Sequence, residues 1–202
     1  MSVSWLFSLF RKPPAEPSLP TPEPAKKPDT QIIGTISLPP IPAPTRYYQQ
    51  TNKRTPNISP GRVIKPTHIV VHHSSGAYAG SVAWCCDPVS KVSYHCIIAR
   101  NGKRTVLALP NQRTWHAGVS EWQGRKDANT WSVGMAWEGD TYQTPLSEDA
   151  LLSAVEYLLP IIREYHIPLS NILRHADVAP GRKDDCSPAA HAALLAALNR
   201  VV

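Results

Sequence analysis

The sequence predicts a mixed α/β (α+β) domain built on a single central mixed β-sheet flanked by helices, preceded by a proline-rich basic tail. Three observations predict it. Proline and positive charge are concentrated at the start: 14 of the 21 prolines lie in residues 1–66. The same stretch holds nine Lys/Arg against three Asp/Glu, while residues 67–202 hold twelve of each, so the whole net charge of +6 belongs to the tail. From Thr67 onward, β-branched strand-like runs come first and helical patterns later, the order expected of one sheet covered by helices. The predicted organisation is therefore a tail or linker over 1–66 and one folded domain over 67–202.

Within the tail, the Pro-Pro pairs at 13–14 and 39–40, with Pro17, Pro20, Pro22, Pro24, Pro42 and Pro44, favour extended polyproline backbone over helix. Ile32-Ile33 to Leu38 is a short sticky stretch within it. The opening segment places Trp5, Leu6, Phe7, Leu9 and Phe10 ahead of Arg11 and Lys12. That order is the reverse of a secretory signal; a disordered tail with no specific role is the first expectation, and weak contact with a membrane surface the alternative. No apolar run approaches the roughly 18 residues of a membrane-spanning helix. Four cysteines, Cys85, Cys86, Cys96 and Cys186, are too few and too irregular for a disulfide scaffold or a paired zinc finger. The neutral body gives nucleic acid no electrostatic handle.

Along the body, HIVVHHSS (68–75) predicts a buried strand. VSYHCIIARNGKRTVLAL (92–109) predicts two strands around an Asn101-Gly102 turn. WSVGMAW (131–137) predicts another strand. Ser147 predicts an N-cap, with Glu148 and Asp149 at the positive end of a helix carrying Leu151, Val155, Leu158 and Ile162 on one stripe. Pro160 is expected to kink or break that helix before Tyr165. Ser187-Pro188 predicts the cap and first residue of an alanine-rich helix reaching about Arg200. Cys85-Cys86 is expected in a short connection after the first strand.

Eight histidines in a neutral body raise the question of a metal. His72 lies inside an apolar strand, where a polar ring needs a partner; His73 points to the opposite face. His175 begins HADVAPGRKDDC (175–186), which is dense in turn formers and in possible ligands at Asp177, Asp184, Asp185 and Cys186. His72, His175 and one residue near 185 match the three protein ligands and open position of a catalytic zinc.

Four blocks, VVHHSS (70–75), YHCIIARNG (94–102), WHAGVSEWQGR (115–125) and HADVAPGRKDDC (175–186), resemble in their order and joint presence the type 2 zinc N-acetylmuramoyl-L-alanine amidases, which share a fold with phage amidase-type lysozymes and peptidoglycan recognition proteins. The resemblance covers 67–202. It implies a Zn2+ site in a surface groove, with His72 and His175 as ligands. It assigns the third ligand to Asp185, two residues beyond Lys183, in the manner of the recycling-amidase branch; Cys186, one residue later, is the alternative. That branch also carries a catalytic glutamate where this chain has Ala136. The phage branch uses a tyrosine instead, and Tyr94 stands at that place. The resemblance thus implies a hybrid enzyme in which Tyr94 and Lys183 stabilise charge on the scissile carbonyl. Glu138, two residues past Ala136, is a candidate supporting carboxylate or base. His116 matches a position lining the substrate groove, and His95 is expected to support the sheet.

The implied activity is zinc-dependent hydrolysis of the amide between N-acetylmuramic acid and L-alanine in peptidoglycan, in a monomer. A phage or prophage lysin, held at an anionic envelope by its basic tail, is the first expectation. It would be made in the bacterial cytoplasm and act at the wall. A cytosolic amidase recycling 1,6-anhydro-muropeptides and a non-catalytic peptidoglycan-binding module are the alternatives.

Overall fold

The computed structural model describes residues 48–202. The expectations placed on residues 1–47, the sticky stretch and the amphipathic start among them, lie outside the described residues. The central sheet has six strands, in the order β1 (Gln50–Asn52), β5 (Arg104–Val106), β4 (Cys96–Ile98), β9 (Ser132–Trp137), β3 (His68–His73) and β10 (Ile172–Arg174). All neighbouring pairs are parallel except β4 and β5, which form the antiparallel hairpin expected around Asn101-Gly102. Gly102 sits at φ +78 with its Cα against the Tyr48 ring, so both its backbone and its lack of a side chain are used.

Alternation along β3 divides the interior in two. Ile69 and Val71 face a core completed by α2 (Glu148–Tyr165) and α4 (Pro188–Leu198), where Leu158, Ile162, Leu194 and Leu198 are buried. Val70 and His72 face the other side, with Ala117, Trp131 and Val178 around Val70. Further along, α1 (Tyr78–Cys86) covers the cluster of Cys85, Ile97, Leu107 and Ala136. Both predicted serine caps are in place: Ser147 Oγ accepts from the amide of Ala150, and Ser187 Oγ from that of Ala190.

Three local expectations need correction. The helix does not break at Pro160; α2 continues to Tyr165, with Pro160 on its exposed face. Cys85 and Cys86 are the last turn of α1 and not part of a connection. The fold also starts well before Thr67. Strand β1 pairs with β5, and β2 (Ile58–Val63) pairs with β6 (Gln112–Thr114). Between them Asn57 is buried and donates its side-chain amide to the carbonyls of Asp87 and Val92. Gln50 and Glu156 hold the nearly buried Arg104 guanidinium at 2.8 Å each. The 66/67 boundary coincides with the fall in proline density. In the structure Pro56 lies at a bend and Pro60 within β2, which pairs with β6 in a separate two-stranded sheet.

This gives the first prediction. A chain beginning at Thr67 loses β1, β2 and the Asn57 contacts, each bond contributing about 1 kcal/mol. Its denaturant midpoint should fall by the equivalent of ~3 kcal/mol or more relative to a chain beginning at Tyr48. Equal midpoints would contradict the placement of this segment in the fold.

Candidate metal centre

His72 is brought to the site by the inward face of β3, and it is fully buried opposite Ala136 of β9. His175 follows β10, the strand parallel to β3 at the sheet edge, and opens the short helix α3 (His175–Val178). Asp177 fixes that turn by accepting from the Arg174 amide at 2.8 Å and from its guanidinium at 2.6 Å. Asp185 lies on the loop that follows. Its carbonyl accepts from the Ala176 amide at 2.8 Å, tying the loop back to α3. Two contacts hold the loop from the other side: Thr141 Oγ1 accepts from the Ser187 amide at 2.8 Å, and the Tyr142 hydroxyl donates to the Asp184 carbonyl at 2.9 Å.

The three side chains meet. His72 Nδ1 lies 3.0 Å from His175 Nδ1 and 3.0 Å from Asp185 Oδ2, and His175 Nδ1 lies 3.0 Å from Asp185 Oδ1. Ligands at about 2.0–2.1 Å from a tetrahedral zinc stand about 3.3 Å apart, so this triangle has the dimensions of one face of such a site. His175 Nε2 donates to the Ala117 carbonyl at 3.0 Å, which leaves the lone pair of Nδ1 directed into the triangle. Burial, and then the neighbouring His175 ring, lower the His72 pKa to about 4. Burial alone would raise the Asp185 carboxyl, but the two imidazole rings held against it keep it well below the usual carboxylate range. Neutral imidazole and ionised carboxylate are the ligand forms that zinc takes. Cys186 is not part of this cluster. It is buried in the α2/α4 core, and burial pushes its thiol up to about 12.

Tyr94 stands beside the triangle with its ring centroid 5.0 Å from that of His72, packed on the Ala136 cluster. Burial raises its pKa, and the Asp185 charge adds to this, so the hydroxyl remains a proton donor at neutral pH. Lys183 is exposed on the 179–185 loop, and its amide donates to the Ala179 carbonyl at 3.0 Å.

Two expectations are corrected. His116 does not line an open groove: it is 5% exposed, and its Nδ1 lies 3.1 Å from His72 Nε2. Glu138 is not directed at the centre; its oxygens accept from the amides of Tyr78 at 3.0 Å and Arg100 at 2.9 Å, capping α1 and the β4–β5 turn. His95 does support the sheet, accepting from the Gly134 amide and lying 2.9 Å from the Gln112 carbonyl. The sequence reading overlooked the residues that hold the loops. Arg182 donates to the carbonyls of Ala117 and Val119, and Asn129 Oδ1 accepts from the amides of His116 and Ala117. Arg182 adjoins Lys183, but nothing in its spacing marks a clamp. An open groove of about 1090 Å³ lies beside these loops, with Trp115, Trp122, Lys126 and Arg182 in its walls.

Residues 62–188 match the Amidase_2 family, described as N-acetylmuramoyl-L-alanine amidase. The chain belongs to that family. Among its relatives, the chain is 40% identical over 96 residues to the 1,6-anhydro-N-acetylmuramyl-L-alanine amidase AmpD of Haemophilus influenzae, covering 47% of this chain and 52% of that protein. It is 33% identical over 135 residues to the N-acetylmuramoyl-L-alanine amidase AmiD of Escherichia coli, covering 59% and 48%. The chain thus spans about half the length of these two relatives. A crystal structure of an AmpD selenomethionine derivative superposes with a TM-score of 0.62 at 25% identity, over 75% of this chain and 93% of that one. Escherichia coli AmiD, in complex with anhydro-N-acetylmuramic acid-L-Ala-D-γ-Glu-L-Lys, superposes with a TM-score of 0.59 at 27% identity, over 70% and 60%. A mutant Bacillus subtilis endolysin, at 20% identity and a TM-score of 0.59, shares the fold.

Proposed function

We propose that this family member is a zinc-dependent N-acetylmuramoyl-L-alanine amidase. The observation that carries the reading is the convergence of His72 Nδ1, His175 Nδ1 and the Asp185 carboxylate at 3.0 Å separations. These three residues would hold the zinc. When bound, it supplies Lewis acidity toward the amide carbonyl and toward the attacking water. The chain's own groups do the rest. The Tyr94 hydroxyl, which has no hydrogen-bond partner among the described residues, is available to donate to a carbonyl oxygen as negative charge develops there. The cationic Lys183, on the loop that carries Asp185, is available to the same charge. Ala136 leaves room on β9 for the Tyr94 ring, so tyrosine takes over the place of the missing glutamate.

For the substrate, the relatives favour soluble 1,6-anhydro-muropeptides, since both the H. influenzae AmpD name and the AmiD complex contain the anhydro-muramyl group. The lysin reading rests on the basic, proline-rich residues 1–66, which suit an anionic envelope surface, and on the tyrosine at 94. A monomer acting on muropeptide or wall satisfies both. Comparing purified anhydro-muropeptide with intact sacculi separates them: faster turnover of the soluble fragment selects recycling, and faster solubilisation of sacculi selects lysis.

Two outcomes test the chemistry. Chelation should abolish release of L-alanine amino termini from muramyl peptide, and zinc should restore it; undiminished release in chelator would refute the metal assignment. Tyr94→Phe should lower kcat by about 100-fold with KM and zinc content unchanged, the loss expected for one oxyanion donor. A variant as fast as the parent would remove Tyr94 from the reaction.

A further inference from the structure

His116 was expected to touch substrate, yet every contact it makes points inward. Its own amide and that of Ala117 both donate to Asn129 Oδ1, at 3.0 and 2.8 Å, which fixes the backbone beneath the ring. The imidazole lies directly on the Cα of Gly134. A Cβ at that position would stand 2.3 Å from His116 Cγ and 2.6 Å from Nδ1, so any larger residue would expel the ring. Gly134 is an interior residue of β9 with no positive φ, so the strand uses glycine here for its missing side chain and not for backbone freedom.

The hydrogen bonds from this ring run in one direction. The Ala128 carbonyl only accepts, and the Ser132 hydroxyl donates to it at 2.6 Å. That commits the Ser132 proton and leaves the Ser132 oxygen to accept from His116 Nε2–H at 3.3 Å. His116 Nδ1 then carries a lone pair, which accepts from His72 Nε2–H at 3.1 Å. With its proton at Nε2, His72 presents a lone pair at Nδ1 to His175 and Asp185. We infer that His116, backed by Ser132 and seated on Gly134, is a positioning residue that fixes the tautomer and aim of His72 for metal binding.

The role rests on the zinc reading above and extends it to residues that contact neither metal nor substrate. Both ligand imidazoles are thereby oriented through carbonyls of one stretch of chain: His175 by Ala117 directly, His72 by Ala128 through two side chains. A ring that only filled space would leave His72 free to carry its proton at either nitrogen.

The test uses the full chain and zinc alone, with affinity read by competition against a chromophoric chelator and folding read by circular dichroism. His116→Leu, which keeps bulk but cannot accept, should weaken zinc binding by roughly 10–100-fold, the range for loss of a ligand's hydrogen-bond partner. His116→Asn, whose Oδ1 replaces Nδ1 as acceptor, should recover most of that loss. In the zinc-loaded parent, long-range ¹H–¹⁵N spectra should show His116 protonated at Nε2 and bare at Nδ1. Parental affinity in a folded His116→Leu, equal weakening by Leu and Asn, or a proton at Nδ1 of His116 would each overturn the role. Should His116→Leu not fold, the Asn variant and the parental tautomers decide. A parent that binds no zinc overturns the metal reading itself, whereas a parent that binds tightly with the variants unaffected overturns only the role of His116.

Discussion

The structure depends on holding two imidazoles and a carboxylate about 3 Å apart inside a protein, with their lone pairs directed at one point. Such a group is costly to bury, because each atom gives up water and none of the three is a dedicated donor to the others. Much of the surrounding architecture serves to keep them there. Parallel pairing of β10 with β3 sets the two histidines side by side. The loop carrying Asp185 is tied to α3 through Ala176 and to the 140–142 segment through Thr141 and Tyr142. Arg182 joins that loop to the 117–119 segment, which also receives the Nε2 proton of His175. Every tie has one end on a backbone atom, which gives it a fixed place.

The register of β3 against β9 links this constraint to the chemistry. His72 pairs with Ala136, where the resemblance implies a glutamate in the recycling branch. A small residue there, packed with Ile97 and Leu107, lets the Tyr94 ring approach His72. Glu138, two residues further along β9's exit, instead accepts from the Tyr78 amide at the start of α1.

The parts of the fold legible in the sequence were those with a local signature. The β-branched run of β3, the Asn101-Gly102 turn and the serine caps at 147 and 187 each carry their physics within a few residues. Of the candidate centre, the residues themselves pointed to His72, His175 and one residue near 185, and only the family resemblance chose Asp185 over Cys186. Features fixed by distant partners were not. Helix α1 has a glycine at 80 and no cap from its own N-cap residue, Ala77; it depends on Glu138, sixty residues beyond Tyr78, and on packing against Ile97 and Leu107. Strands β1 and β2 sit in proline-rich sequence and exist because β5 and β6 pair with them. His116 was misread because its block suggests a groove, while its burial follows from Gly134, eighteen positions further along the chain.

The central claim is that an oxygen of Asp185, and not the sulfur of Cys186, completes the centre with two imidazoles. X-ray absorption at the zinc edge of the zinc-loaded full chain tests it most directly. The account predicts one zinc per chain, nitrogen and oxygen scatterers at about 2.0–2.1 Å, and the outer-shell signature of two imidazole rings. A sulfur scatterer at about 2.3 Å, or zinc bound without two imidazoles, would contradict it.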